Sequence, residues 1–571
     1  MIYRKATFLI PIFLCFSCTN SIPQANGSQT ENPAASIALP TPDEILQELA
    51  PKALEMAGYG GYHRSIFTTV DEAQTWFDRG LQLVYGFNHD AAVNAFSKAA
   101  QLDPECAMAW WGIAYAYGVD VNNPNVSEAE AAIAASAIRK AMQLLEKASP
   151  PEQALIQASA KRAVSPLPED RTEIDLAYSN AMATAWTKHP DDADVGALYA
   201  ESLMNMQSWD YWTSEGKASG NTPLILATLE TVLEDNPQHP GANHFYIHAI
   251  EASGNPEKGI PSAERLENMI PGSGHLVHMP SHIYVNVGRY ADAVLANQRA
   301  IKADEEYFKV AGYPTFYRIY FLHNMHFLMY AAMMTGQKET SLNAVSQMES
   351  QIPPGMIESM TKQADALASA RIHVYMRFGM WEELLALPEY EDYRLLSRAL
   401  RAYTRTIAFA NLKQIDNARS ELDRFHALRK DVPEDWVVGL SPADAILSVA
   451  AKVAEGEVRW REGKTEEALI ALREAVKEED QLLYAEPPGW MIPVRHALGA
   501  ILVAAGQYAE AVKVYQADLQ DHPENAWSLL GLDQALRGQG DLQAAEAIKL
   551  QLEKAWANAD VSPPASCYCG A

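Results

Sequence analysis

Seven of the chain's 15 histidines fall between Gly241 and Tyr330: His244, His248, His275, His278, His282, His323 and His326. Their spacing is regular as well as dense. His244 and His278 are 34 residues apart, and so are His248 and His282. A fixed period of that length marks a repeat architecture that brings the same helix face to successive positions. His244 and His248 are also four apart, which on an α-helix stacks both rings on one face, about 6 Å apart along the axis. Neutral imidazoles in such a pair chelate metal ions, and with a carboxylate they suit Zn(II), Fe(II) or Mn(II), with Cu(II) also compatible. Glu251, three beyond His248, mirrors the i,i+3 carboxylates of di-metal helices but sits off the axis of the two rings. A single histidine on a helix is ordinarily a hydrogen-bonded structural residue. A pH-sensitive ligand groove and a hydrogen-bonded histidine network therefore stand as alternatives to a metal site.

The elements that must position these residues are helical. From about Asp43 to Asn558 apolar residues recur at three and four, alanine is abundant, and β-branched runs bounded by turns are missing. Trp76, Gly80, Ala92, Phe96, Ala99 and Pro104 describe one helical hairpin. Gly80 and Ala92 are small where its two helices cross, Trp76 and Phe96 fill the space beside the crossing, and Pro104 stops the second helix. The pattern resumes at Trp110, Ala114 and Tyr117. Turn words of the form Gly-x-Tyr-x-x-Ala follow at Gly288 and Gly506, with weaker versions at Gly336, Gly379, Gly463 and Gly540. This pattern resembles the tetratricopeptide repeat over roughly residues 71–555. The resemblance implies an all-α solenoid of about ten helical hairpins forming a superhelix. Within it we expect N-terminal hairpins over 43–160, a central histidine-rich array over 161–390 and C-terminal hairpins over 391–558. The words Phe87-Asn88-His89, His275-Leu-Val-His278-Met-Pro-Ser-His282 and His323-Asn-Met-His326 are similar to those of a subfamily of large bacterial repeat proteins.

In such arrays the first helix of each hairpin lines the concave groove, and the resemblance places repeat positions 2, 5, 9 and 12 there. Counting back from each turn glycine as position 15 puts His275, His278 and His282 at positions 2, 5 and 9 of one unit. His244 and His248 fall at 5 and 9 of the unit before it, and His323 and His326 at 2 and 5 of the unit after. The same count adds His373 at position 9 downstream, and the preceding unit, aligned on Pro190, gives Glu201 at position 9, with Asn205 four beyond it. Adjacent packed helices lie about 8–10 Å apart, within reach of a shared ion. The expected ligand set is thus His244, His248, His275, His278, His282, His323, His326, His373 and Glu201, with Glu201 preferred over Glu251. Pro280 interrupts the helix of His278 and His282. Either a helix starts there, leaving His275 and His278 on the preceding segment, or it kinks, which makes the mutual geometry of His278 and His282 the least fixed. Trp209, Tyr211 and Trp212 are read mainly as packing, with a pocket mouth as the alternative. Tyr317 and Tyr320 are read as packing, and Arg495 as a residue that faces an anionic ligand only if the superhelix curls back.

The bulk composition narrows the partners. With 72 acidic against 45 basic residues the net charge is −27, a field that disfavours nucleic acid and anionic membrane surfaces. Arg4 and Lys5 precede an apolar run, Ala6 to Phe16, too short to span a bilayer, and the segment ends in Ser17-Cys18. It resembles a bacterial lipoprotein signal, which implies a signal peptide over 1–17, a lipid on Cys18 and a flexible linker over 18–42. The mature protein would then be tethered in the cell envelope, at the outer membrane or periplasm; an ordinary secretory signal is the alternative. Cys106 reads as a core residue, and the tail over 559–571, with Cys567 and Cys569, as a flexible end or as a metal- or disulfide-forming one. Two functions remain open. One is an exported metalloprotein, catalytic or not; the other is a scaffold holding a peptide or protein in its groove.

Overall fold

A computed structural model of the chain describes residues 38–214, 216–312 and 316–568. Cys18, the signal segment, most of the linker and Cys569 lie outside the described residues. The architecture is an all-α solenoid of helical hairpins packed in chain order. Asp71–Tyr85 pairs with His89–Leu102, Ala107–Ala116 with Glu128–Gln143, and Ala193–Asn205 with Thr222–Asp235. Further on, Arg318–Met334 pairs with Lys338–Gln351, and the series runs to Ala526–Gln539 with Leu542–Ala555. Among the described residues the only sheet is a two-residue ribbon, Val437–Val438 against Ser441–Pro442. No described helix is long and apolar enough to cross a membrane.

The repeat signature does the packing that its residue types imply. Phe96 is fully buried, and a Cβ built on Gly80 would stand 2.6 Å from its ring. Gly112 of the next hairpin is pressed against the same ring. One phenyl group thus locks three helices, and it can do so only because two of them present hydrogen where another residue has a side chain. Gly80→Val should therefore destabilise the protein by about 1–3 kcal/mol through overpacking, read as a lower urea midpoint at unchanged slope.

The turn glycines used as register marks behave as such. Gly288 has φ 79° and Gly336 φ 69°, left-handed conformations that end the first helix of each hairpin. The superhelix also closes on itself. Trp527 Nε1 donates to the Met333 carbonyl at 2.8 Å, and Asn286 Nδ2 donates to the Tyr484 hydroxyl at 2.8 Å, 198 residues away. Arg495 does not face inward: its guanidinium forms a paired contact with Asp480 at 2.8 and 2.9 Å, which corrects the role considered for it. The tail over 559–568 is packed rather than flexible. Asp560 accepts from the Lys338 and Glu339 amides, Cys567 is disulfide-bonded and nearly buried, and Tyr568 lies over Gly379.

Candidate metal centre

The helix carrying His244 and His248 is Pro240–Ile250. Proline occupies its first turn, where no amide hydrogen is needed, and the His239 Nδ1 accepts from the Ala242 amide at 3.0 Å as its cap. Gly241 lets the Tyr85 ring close on this helix; any Cβ there would collide with it. That approach brings the Tyr85 carbonyl to His244 Nδ1 at 2.7 Å. A carbonyl only accepts, so Nδ1 carries the proton and Nε2 holds a free electron pair.

The next two rings come from Gly274–His278 and Pro280–Asn286, two short helices broken at Met279 with Pro280 opening the second. Gly274 is again a contact residue, pressed on the Asp304 carboxyl. Burial raises Asp304 to about 8, while Tyr317 and Asn324 donate to it and draw it down. The break does not part His278 from His282. Their Nε2 atoms are 2.7 Å apart.

The protonation of that pair follows from its other contacts. Asn297 Nδ2 donates to the Ala293 carbonyl at 2.8 Å, which leaves Oδ1 facing His278 Nδ1 at 2.6 Å. His278 Nδ1 is therefore the N–H, and its Nε2 is an electron pair. His282 Nδ1 lies against two carboxylates, Glu251 Oε2 and Glu486 Oε2, so it too is an N–H donor. With both rings neutral two electron pairs would meet at 2.7 Å, so the contact requires a shared cation, either a proton on His282 or a metal ion. His323, from Arg318–Met334, closes the group: His278, His282 and His323 offer ligand atoms within 4.8 Å of one another.

His244, His248 and His275 form a second such group. His275 Nε2 is 3.1 Å from His244 Nε2, and His248 Nδ1 donates to Glu251 Oε1 at 3.2 Å. His248 Nε2 and His275 Nδ1 are buried with no hydrogen-bond partner. Glu251 consequently joins the two groups, one oxygen to His248 and the other to His282. The ring centroids of His248 and His282 are 5.7 Å apart. Phe87, at φ 53°, stacks on His248 and His275 and covers that side.

Burial dominates the titration. It holds His244 down to about 3, and His248, His275, His278 and His323 well below the usual histidine range, with neighbouring imidazoles adding to the effect. His282 is the exception. Burial lowers it, but Glu486 and Glu251 outweigh burial and lift it to about 10. Burial and the nearby Glu486 in turn hold the Glu251 carboxyl well above its ordinary range. A cluster of neutral imidazoles around one carboxylate-held ring is the ligand form of histidine, with the carboxylates fixing ring orientation from behind.

The remaining expected residues are placed apart. Glu201 is not beside the histidines: its Oε1 accepts from Asn205 at 2.5 Å, and Arg162 and Tyr115 adjoin it. Burial raises it to about 7. The carboxylates at the cluster are Glu251, the one ranked second on sequence, and Glu486. His326 and His373 line the adjoining cavity but belong to neither three-histidine group, and burial lowers them to about 3 and about 4. His326 Nε2 is a buried atom without a partner. Trp209 lines the same cavity, edge-on to His248, while Trp212 Nε1 donates to the Ala249 carbonyl and Tyr211 is packed. Glu486, Asn297 and the Tyr85 carbonyl had no motif to announce them. Only Glu251 carried a signal, its i+3 spacing from His248.

No family model matches the chain, and no curated protein matches it. Among solved structures, the human IFIT1 dimer with m7Gppp-AAAA has a TM-score of 0.32 at 11% identity, covering 90% of this chain and 99% of that one. The human IFIT1 dimer with PPP-AAAA has 0.30 at 13%, covering 90% and 99%. The APC/C hetero-tetramer Cut9-Hcn1 has 0.28 at 11%, covering 86% and 95%.

Proposed function

We propose that this chain is an exported, lipid-anchored metalloprotein that binds a divalent transition metal through His278, His282 and His323, with His244, His248 and His275 as a second ligand group. The observation that carries the reading is the convergence of His278, His282 and His323, with the Nε2 atoms of the first two 2.7 Å apart and their Nδ1 atoms held from behind. In metal-free protein a proton on His282 fills that position, and metal entry releases it. Neutral nitrogen donors backed by carboxylates favour Zn(II), Fe(II) or Mn(II), with Cu(II) compatible. An ion here would supply a Lewis acid at the edge of a cavity, as a hydrolytic site requires, while an oxidative site would further require a redox-active ion such as Fe(II), Mn(II) or Cu(II). The alternative of an open groove for a peptide is less well supported, because the C-terminal hairpins fold back across the array.

Elemental analysis of protein purified without a histidine tag tests this. We expect one to two ions per chain, and X-ray absorption with nitrogen neighbours at about 2.0–2.1 Å. A content below about 0.2 per chain after loading would overturn the reading.

A further inference from the structure

The histidine cluster forms one end of a cavity of about 280 Å³, close to the lower size of small-molecule pockets. His248, His275, His282 and His323 reach its surface, and the rest of the wall is of another character. Met356, Met360 and Met491 line it with Leu322, Leu440 and Pro487. Methionines adapt their shape to different occupants, whereas a cavity lined by branched residues selects one. Among the described lining residues none is lysine or arginine, and beyond the histidines the ionisable ones are the Tyr320 phenol and Glu486, which is already held against His282. Gln363, Asn122, Trp209 and Tyr320 are the polar groups, besides the histidines and Glu486, able to orient a guest. Exposure rises at the Val437–Pro442 ribbon, where Gly439 is exposed and Leu440 partly so, which places an opening of the cavity there.

An anion entering this space would lose its hydration against a wall whose one charged ring, His282, is already paired with Glu251 and Glu486, and an organic cation would find only a carboxylate already engaged. We infer that the cavity binds a neutral, apolar organic molecule and holds it against the histidine cluster. What the molecule is presented to rests on the metal reading; its binding does not.

The test uses N-phenyl-1-naphthylamine, a neutral apolar dye, and the anionic 8-anilinonaphthalene-1-sulfonate, titrated into the protein as isolated and after chelation, with metal content measured on each sample. The neutral dye should bind saturably, one per chain, and in chelated protein at least about tenfold tighter than the anionic dye. Met360→Trp fills the cavity and should weaken the neutral dye by about tenfold or more, with metal content unchanged. Leu440→Trp at the rim is the second variant, should the first lower the melting temperature. Absence of saturable neutral-dye binding in metal-containing protein overturns this inference and leaves the metal reading intact. Anionic dye binding tighter than neutral dye, or full binding in both tryptophan variants, also overturns it. Neutral-dye binding in a protein that takes up no metal supports the inference while the metal reading fails.

Discussion

Replacing His282 with alanine is expected to lower the metal content of loaded protein by about one ion per chain, through loss of the His278–His282–His323 group. The reason is its double role. Its Nε2 faces His278 Nε2 at 2.7 Å, so it is one of the two donors that define the position. Its Nδ1 is the contact through which Glu251 and Glu486 act on the cluster, so the variant also leaves two carboxyl groups facing each other with no base between them. The Glu251 carboxyl, already pushed up by burial and by Glu486, loses the ring that draws it down and ceases to orient anything. Glu251→Gln should have a smaller effect that differs in kind. All six imidazoles remain, but the hydrogen bonds to His248 and His282 weaken together, and affinity should fall by about 10–100-fold with the number of sites unchanged. His426→Ala is the control, a partly exposed ring beside Glu455 far along the chain. Isothermal titration with Zn(II), followed by elemental analysis, separates the three outcomes. Full metal content in His282→Ala would remove the His278–His282–His323 group from consideration.

The parts of this site legible in the sequence are those fixed by helix geometry. A turn glycine ends a first helix at a set place, as at Gly288 and Gly336, and side chains counted back from it inherit a face. That is why His244, His248, His275, His278, His282 and His323 all arrive at one cluster. The carboxylates obey different rules. Glu251 lies one residue beyond Ile250, where the backbone is still helical at φ −56° and ψ −40°, so its side chain turns back onto His248 instead of leaving the groove. A count that stops at the helix end misplaces it. Glu201 fails in the opposite way: its position number is right, but Asn205 on its own helix and Arg162 from the preceding unit claim it. Glu486 reaches His282 from 204 positions along the chain, through closure of the superhelix. No local pattern encodes that distance. Arg495 owes nothing to that closure: its partner Asp480 is local and holds the guanidinium whether or not the superhelix closes.

The second large effect is on stability, at Asp194. This buried carboxylate ties four segments together: Tyr62 Oη donates to it at 2.8 Å, Arg64 Nη1 at 2.7 Å, His239 Nε2 at 3.2 Å, and Tyr85 Oη closes on it as well. His239 uses its other nitrogen to cap the Pro240–Ile250 helix, so the network fixes where the helix of His244 and His248 begins. Asp194→Asn keeps the shape and removes the charge. Arg64 then retains only Asp192, and a cost of about 3 kcal/mol is expected, since removing one member of a buried charge network strands the others. The pH dependence has a definite sign. Burial pushes the Asp194 carboxyl up, but Arg64, His239 and Tyr85 outweigh it, and its folded pKa lies far below the ordinary 3.8. A depressed folded pKa stabilises above the unfolded value, so the contribution is complete at neutral pH and is lost progressively as pH falls below about 4. The melting-temperature gap between wild type and Asp194→Asn should therefore be widest near pH 7 and narrow by pH 3. A gap that stays constant over that range would mean that the variant acts through packing and not through the charge.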